Sequence, residues 1–318
     1  MKIVFMGTPE FSVTVLDRIL QSGFHVVGVV TMPDKPAGRG LNLIHSPVKE
    51  YALKKGLPIL QPTNLKGEEF ISQLKVLNPD LQVVVAFRML PEVVWNLPPL
   101  GTYNLHASLL PQYRGAAPIN WAIINGEKFS GITTFKLQHE IDTGNVLLQE
   151  KVAITETMNA GELHDVLMDK GSDLVVKSLF LIQEGSASLK SQEDLSVDLL
   201  SLKHAPKIFK EDCKIKFSSP TESVYNFIRG LSPYPGAWAL LKQSDKEPVN
   251  VKIFSSECTN ESCSTTPGLI RTDNKESLQV ACGDFWISIK EIQIQGKKRM
   301  PVKELLNGFK FNAGDHFE

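Results

Sequence analysis

The sequence predicts an α/β chain: a doubly wound or Rossmann-like domain followed by a small β-barrel or sandwich. Two observations carry that reading. Buried-strand runs alternate with amphipathic helical runs over roughly the first 185 residues, the pattern of a sheet covered by helices. Several short strands separated by Gly and Pro turns then fill the last third, as in small all-β domains. At 318 residues the chain also exceeds the usual size of one domain.

Lys2–Met6 is a short apolar run closed by Gly7, which suits a buried parallel strand. Thr8 is placed to cap a helix and Pro9 to occupy its first position. Phe11, Val15 and Ile19, with Leu16 and Leu20, form its apolar stripe, and Gly23 stops it. His25–Thr31 reads as the second strand, completing a βαβ opening. The turn after the first strand holds one glycine and no GxGxxG, and no acidic residue ends the second strand. This argues against a dinucleotide site and for a tight strand-to-helix turn.

In Met32–Val48, Pro33, Pro36, Gly38, Gly40 and Pro47 interrupt any regular element. A loop of about 17 residues is long for a compact domain, and such loops usually carry function. This one holds Lys35, Arg39 and Lys49 against Asp34. Regular structure resumes with a short helix at Tyr51–Lys55, a strand at Pro58–Leu60 and a helix at Glu68–Leu77 facing inward with Phe70, Leu74 and Leu77. Leu81–Ala86 and residues 102–106 are further strands, and Ala116–Asn125 is a helix. Ile132–Leu137 and Asn145–Val152 form a hairpin, and Gly161–Gln183 is a long amphipathic helix.

Glu184–Leu202 is rich in Ser, Glu and Asp without a clear period, the texture of a linker. Beyond Cys213–Phe217 come one helix, Thr221–Arg229, and strands at Ala237–Leu241, Val249–Phe254, Gly268–Arg271, Ser277–Cys282 and Phe285–Ile294. There are no internal repeats.

Composition narrows the function classes. With 42% hydrophobic residues, 22% charged and a net charge of −1, the chain is ordinary globular protein with no global pull toward nucleic acid or membrane. No apolar run approaches a membrane span, and the first strand begins too early to leave room for a signal peptide. Cys213, Cys258, Cys263 and Cys282 show no CxxC spacing, which argues for reduced thiols in a cytoplasmic protein and against zinc. Nothing in the sequence calls for a metal, and monomer is the default state.

The chemistry gathers in Asn104–Pro118. Asn104 and His106 lie two apart in a strand, so their side chains share a face at its carboxyl end, where open α/β sheets bind ligands. Asp142, in the Glu140–Gly144 turn, is a candidate third member, from a loop able to fold back over that end. An amide, an imidazole and a carboxylate suit acyl transfer to an amine. The amide and a protonated imidazole stabilise the oxyanion, and the carboxylate supports the imidazole and helps remove the amine's proton. The amine itself attacks, so no Ser or Cys nucleophile is needed. Two basic groups stand out against the neutral total: Lys203, Lys207, Lys210, Lys214 and Lys216, and then Lys290, Lys297, Lys298, Arg299 and Lys303. A small barrel carrying such residues is a common nucleic-acid platform.

Gly7-Thr-Pro9, Pro33-Asp-Lys-Pro-Ala-Gly-Arg-Gly40, Asn104-x-His106, Ser108-Leu-Leu-Pro111, Tyr113-Arg-Gly-Ala-Ala-Pro-Ile119 and Asp142-Thr-Gly144 together resemble the methionyl-tRNA formyltransferase family, nearly end to end. The resemblance implies a Rossmann-like formyltransferase domain at 1–184, a linker at 185–206 and an OB-like, tRNA-binding barrel at 207–318. It implies formyl transfer from 10-formyltetrahydrofolate to the methionine amine of initiator Met-tRNA, with Asn104, His106 and Asp142 as the catalytic trio. Ser108, Leu109, Leu110 and Pro111 match the family's folate-contacting stretch, and Phe87, Arg88, Met89 and Leu90 the loop lining its pterin pocket. The insertion loop that meets tRNA falls on Met32–Val48, with Lys35 and Arg39. Lys207, Lys210, Lys297, Lys298 and Arg299 fit the family's basic C-terminal face. One departure is Ala86-Phe-Arg-Met-Leu-Pro91, one residue short of the family pattern and with Arg88 where glycine is usual. Since glycine reaches φ > 0 cheaply and arginine does not, the loop is expected to take another path. Rival readings are a formyltransferase for a sugar-nucleotide amine or glycinamide ribonucleotide, and a nucleic-acid-binding module without catalysis.

Overall fold

The structure, a computed structural model, describes residues 1–37, 42–195, 201–244 and 246–318. It divides into two compact units. The first comprises Met1–Gly115, Ser130–Val152 and Asp165–His204; the second comprises Ala116–Phe129, Ala153–His164 and Ala205–Glu318.

The first unit opens with β1 (Lys2–Gly7), α1 (Glu10–Gln21) and β2 (His25–Val30). The N-cap position falls on Pro9, one residue later than the sequence suggests, and Thr8 Oγ1 is buried without a hydrogen-bond partner. A short hairpin, β3 (Lys35–Ala37) and β4 (Asn42–Ile44), stands where the prolines and glycines argue for no regular element. A two-stranded ribbon with Pro36 in it has no interior ladder for proline to break. Next come α2 (Pro47–Lys54), capped by Ser46 Oγ on the Lys49 N–H, then β5 (Ile59–Leu60), α3 (Glu68–Leu77), β6 (Leu81–Val85) and α4 (Glu92–Trp95). The site strand is β7 (Thr102–His106), followed by the two-residue β8 (Arg114–Gly115); α5 (Pro118–Ile124), next in the chain, belongs to the second unit. The run closes with β9 (Phe129–Lys136), β10 (Val146–Ala153) and α6 (Ala160–Gln183).

Seven strands make one sheet in the order β10-β9-β7-β6-β1-β2-β5. β5, β2, β1, β6 and β7 run parallel, and β9 joins β7 antiparallel. The near-continuous apolar runs of β1 and β6 follow from burial on both faces. Side-chain alternation decides what each face holds. Val84 and Asn104 are register partners, and Val4, Met6 and Val84 pack with Phe70 and Leu74 of α3. Leu105 points to the opposite face, where Gly171 of α6 leaves room for its methyls; a Cβ there would lie 2.8 Å from one of them. α6 is fastened on that side by Thr134–Ser178 (2.7 Å) and by Arg18 of α1, which pairs with Asp169 and Asp173. His106 therefore ends a strand held on both flanks and backed by a close-packed helix.

The second unit is a nearly closed antiparallel barrel. After the short β11 (His204–Ala205) and α7 (Thr221–Gly230), its strands are β12 (Ala237–Lys242), β13 (Val249–Ser262), β14 (Ile270–Thr272), β15 (Leu278–Ala281), β16 (Phe285–Ile294), β17 (Met300–Pro301) and β18 (His316–Phe317), with α8 (Val302–Gly308) before the last. The order is β14-β15-β16-β13-β12-β18, and β17 adds to β16. Its two ends are bridged: Ile270 N–H donates to Asp315 O (3.0 Å) and Phe317 N–H to Gly268 O (2.8 Å). Gly268 sits at φ +91°, and a Cβ there would meet Phe317 O at 2.2 Å, so only glycine allows this seam. β13 continues well past the expected Phe254. Register shifts at Ile253–Ser256 and Cys258–Ser262 break the period of two by which the sequence would reveal it. Arg229, buried in α7, donates to the Thr155 and Met158 carbonyls, which shows how 153–164 joins this unit although it lies far upstream in the chain.

Candidate active site

His106 closes β7, and its ring is anchored at Nε2. Nε2 lies 2.9 Å from Tyr113 O; a carbonyl only accepts, so Nε2 carries the hydrogen and donates. In the neutral ring that leaves Nδ1 as the free acceptor, and it faces Asp142 Oδ2 at 3.8 Å. The same Oδ2 accepts from Gly115 N–H at 3.0 Å. The two side chains are only 7% and 12% exposed, so their interaction is weakly screened. Asn104 is half-buried on the face shared with His106, and its amide has no hydrogen-bond partner among the described residues. Nε2 is thus committed to Tyr113 O, and Nδ1 is the ring nitrogen left without a hydrogen bond.

Ser108–Pro111 form the turn that returns Tyr113 beneath His106. Ser108 is buried and its hydroxyl donates to Gln112 O at 2.6 Å. Thr133 Oγ1 donates to Ser108 O and accepts from Leu110 N–H, while Gln149 donates to Leu110 O. Leu110 packs with Phe135 and Val146, and Pro111 is buried. Three of the four residues thus face the interior, with only Leu109 half-buried.

Two site residues escape sequence reasoning. Tyr113 acts through its carbonyl, from a left-handed conformation (φ +59°) that no residue type announces. Gln192 lies in the stretch whose composition reads as linker. It is 2% exposed, donates to the Asp142 and Gly144 carbonyls at 2.8 Å each, and accepts from Arg114 Nε and Nη2 at 3.1 and 2.6 Å. The same stretch pairs Lys190 with Val146 and packs Leu195 on the Leu110 cluster. Polar composition hid it, because Gln192 is buried by hydrogen bonds rather than by an apolar stripe.

Comparison with known proteins is decisive. The chain matches the formyl transferase family over residues 1–179 and the formyl transferase C-terminal domain over 207–310. Methionyl-tRNA formyltransferase of Bacteroides thetaiotaomicron is 53% identical over 314 residues, covering 99% of this chain and 97% of that protein. The chain belongs to the methionyl-tRNA formyltransferase family. The Flavobacterium johnsoniae methionyl-tRNA formyltransferase is 50% identical over 312 residues, 98% of this chain and 97% of that protein. Among solved structures, an N-formyltransferase from Helicobacter canadensis, in complex with folinic acid and dTDP-3-aminofucose, aligns with a TM-score of 0.62 at 20% identity, covering 91% of this chain and 98% of that one. Glycinamide ribonucleotide transformylase 1 from Symbiobacterium toebii aligns at 0.51 and 18% identity, over 60% of this chain and 93% of that one. These two share the fold.

Arg88 extends across to the Pro62–Thr63 segment and donates to both carbonyls. The positive φ in this loop falls on Ala86 (+46°). Burial lowers the Arg88 pKa, and its guanidinium lies 5.7 Å from the Phe87 ring centroid. Leu90 is buried, whereas Met89 is 75% exposed. Arg88 and Met89 line an open hollow of about 850 Å³ with Thr63, Lys66, Glu92 and Val93. Asn104, His106 and Asp142 do not line it.

Among the basic residues, Lys35 is exposed on β3, and Arg39 lies outside the described residues. Lys207, Lys210, Lys297 and Lys298 are exposed and make no ion pair among the described residues. Lys207 lies 5.0 Å from the Phe209 ring centroid, and Lys297 5.8 Å from that of Phe309. Arg299 differs: it pairs with Glu291 and stacks on Phe254 at 4.3 Å, so its charge is already compensated. No group of three His, Cys, Asp or Glu able to hold a metal occurs among the described residues. No helix among them is long and apolar enough to cross a membrane.

Proposed function

We propose that this enzyme transfers the formyl group of 10-formyltetrahydrofolate to the amino group of methionine on initiator Met-tRNA. The observation that carries the reading is the convergence of Asn104, His106 and Asp142 at one strand end, with Asp142 3.8 Å from His106. The names of relatives at 50–53% identity support the choice of acceptor. In the reaction the methionine nitrogen attacks the formyl carbon, and the carbonyl oxygen becomes an oxyanion. Asn104, with its amide unengaged, donates to that oxygen. His106 Nδ1 takes the proton that the attacking amine sheds, and the Asp142 carboxylate stabilises the imidazolium that results. The carbon–N10 bond then breaks, and His106 returns its proton to the departing N10 of tetrahydrofolate. No metal takes part.

Phe87–Leu90 and the Ser108–Pro111 turn bound the folate side. The unpaired lysines Lys207, Lys210, Lys297 and Lys298 meet tRNA phosphates, Arg299 contributes there mainly as a stacked surface, and the loop with Lys35 and Arg39 engages the acceptor end. The enzyme works in the cytoplasm as a monomer, on free charged tRNA. The test is direct competition: 10-formyltetrahydrofolate is supplied with initiator Met-tRNA, glycinamide ribonucleotide or an amino-sugar nucleotide. Product is expected on the tRNA. Turnover favouring either small amine would overturn the assignment.

A further inference from the structure

We infer that Gln192, oriented by Arg114, is a positioning residue that holds the Asp142 carboxylate in its working place. The inference rests on the proposed formyl transfer for its kinetic consequence, and on the hydrogen bonds alone for its structural one. Asp142 has φ +57°, a left-handed conformation that strains a non-glycine residue and is held by its neighbours. Within the turn itself the Thr143 hydroxyl donates to Glu140 O at 3.1 Å, which does not hold the Asp142 or Gly144 carbonyls. Thr143 N–H reaches Glu140 O only at 3.5 Å, and Ile141 is 63% exposed.

Gln192 supplies the missing constraint. Its Nε2 donates to the carbonyl of Asp142 and to that of Gly144, bracketing the turn from both sides. Nothing is ambiguous about the orientation of this amide. Guanidinium groups only donate and carbonyls only accept, so Arg114 selects Oε1 and leaves both hydrogens of Nε2 for the turn. Gly144 fits the same bracket: a Cβ on it would lie 1.8 Å from Lys136 O, so the turn presses against β9 at that point. With the backbone fixed at residues 142 and 144, the Asp142 side chain reaches Gly115 N–H and faces His106 Nδ1. Gln192 touches none of the trio's reacting atoms and acts through Asp142.

The experiment compares Gln192→Leu, Gln192→Glu and Arg114→Met with the wild-type enzyme. Glu keeps the partner for Arg114 but turns an acceptor toward the two carbonyls, so it isolates the bracket from the loss of packing. All three are expected to lower kcat by about 10- to 100-fold, with KM for tRNA and folate within twofold, as a misplaced catalytic group would. In an Asp142→Ala background, Gln192→Leu should lower kcat no further. Full additivity of the two losses, or a change confined to KM, would overturn the inference. A second readout does not need turnover: amide exchange at Gly115, whose N–H the Asp142 carboxylate accepts, should accelerate at least tenfold in Gln192→Leu, with β1 and β6 amides unchanged. Unaltered protection at Gly115 would sink it even if the wild-type enzyme proved to formylate some other amine.

Discussion

Replacing Asp142 by Asn tests the charge on the carboxylate while keeping its shape. Asn retains an acceptor for Gly115 N–H, now 3.0 Å from Oδ2, so the turn should survive. What disappears is the negative charge 3.8 Å from His106 Nδ1. When Nδ1 has taken the amine's proton, opposite charges at that distance interact by about 4 kcal/mol at an effective dielectric of about 20. Solvent reaching a pair that is 7% and 12% exposed will reduce this somewhat. The expected loss is therefore about 10²- to 10³-fold in the chemical step. It should appear in single-turnover formylation of charged initiator tRNA at saturating folate, with the melting temperature within a few degrees of the parent. A loss below about fivefold in the chemical step would refute the argument, because it would mean that no charge develops on His106 in the transition state.

Other consequences are independent of that one. Gly268→Ala should destabilise the second unit by about 3 kcal/mol, seen as an earlier denaturant transition, since a Cβ would clash with Phe317 O at 2.2 Å from a backbone at φ +91°; an unshifted transition would refute the role given to the seam. Lys297→Ala with Lys298→Ala should raise KM for tRNA, flatten its salt dependence by roughly one to two units of slope and leave kcat unchanged. An unaltered slope would remove these lysines from the phosphate contact. Asp34 accepts from Lys49 and Gln61 and faces His45, and the Lys49 hydrogen bond is the main reason its pKa is lowered to about 2. Because the folded value lies below the unfolded one near 3.8, this anchoring is fully present above pH 4 and is lost as pH falls toward 2. A carboxyl titration by NMR that found Asp34 near 3.8 would contradict it.

Much of this architecture is written locally, and the parts that are not have identifiable reasons. β1, α3, β7 and β16 follow from apolar runs and periods that burial imposes directly, so their limits are nearly legible in the chain. Asn104 and His106 are legible for the same reason, since alternation along a strand fixes their common face. Their partner Asp142 is harder, because its approach depends on how a turn folds back and not on spacing. Residues that act through backbone atoms leave almost no trace: Tyr113 contributes a carbonyl, and Gly115 an N–H. The second half of β13 is masked by bulges, and the β3–β4 hairpin by a proline that an isolated ribbon tolerates. Gln192 was hidden by its setting, a polar stretch in which one buried side chain makes four hydrogen bonds.

That last setting bears on how the catalytic unit can be cut or transplanted. The seven sheet strands end at Ala153 and the last α-helix against them at Gln183, so a fragment stopping there would carry the whole sheet, that helix and the trio. It would lack Lys190, Gln192 and Leu195, which reach back to Val146, to the Asp142 turn and to the Leu110 cluster. Such a fragment would be built like an enzyme with one hand unclenched. Chimeras that exchange C-terminal domains within this family should therefore place their junction after residue 205, because Tyr113 N–H also donates to Lys203 O and the 204–205 strand pairs with 114–115.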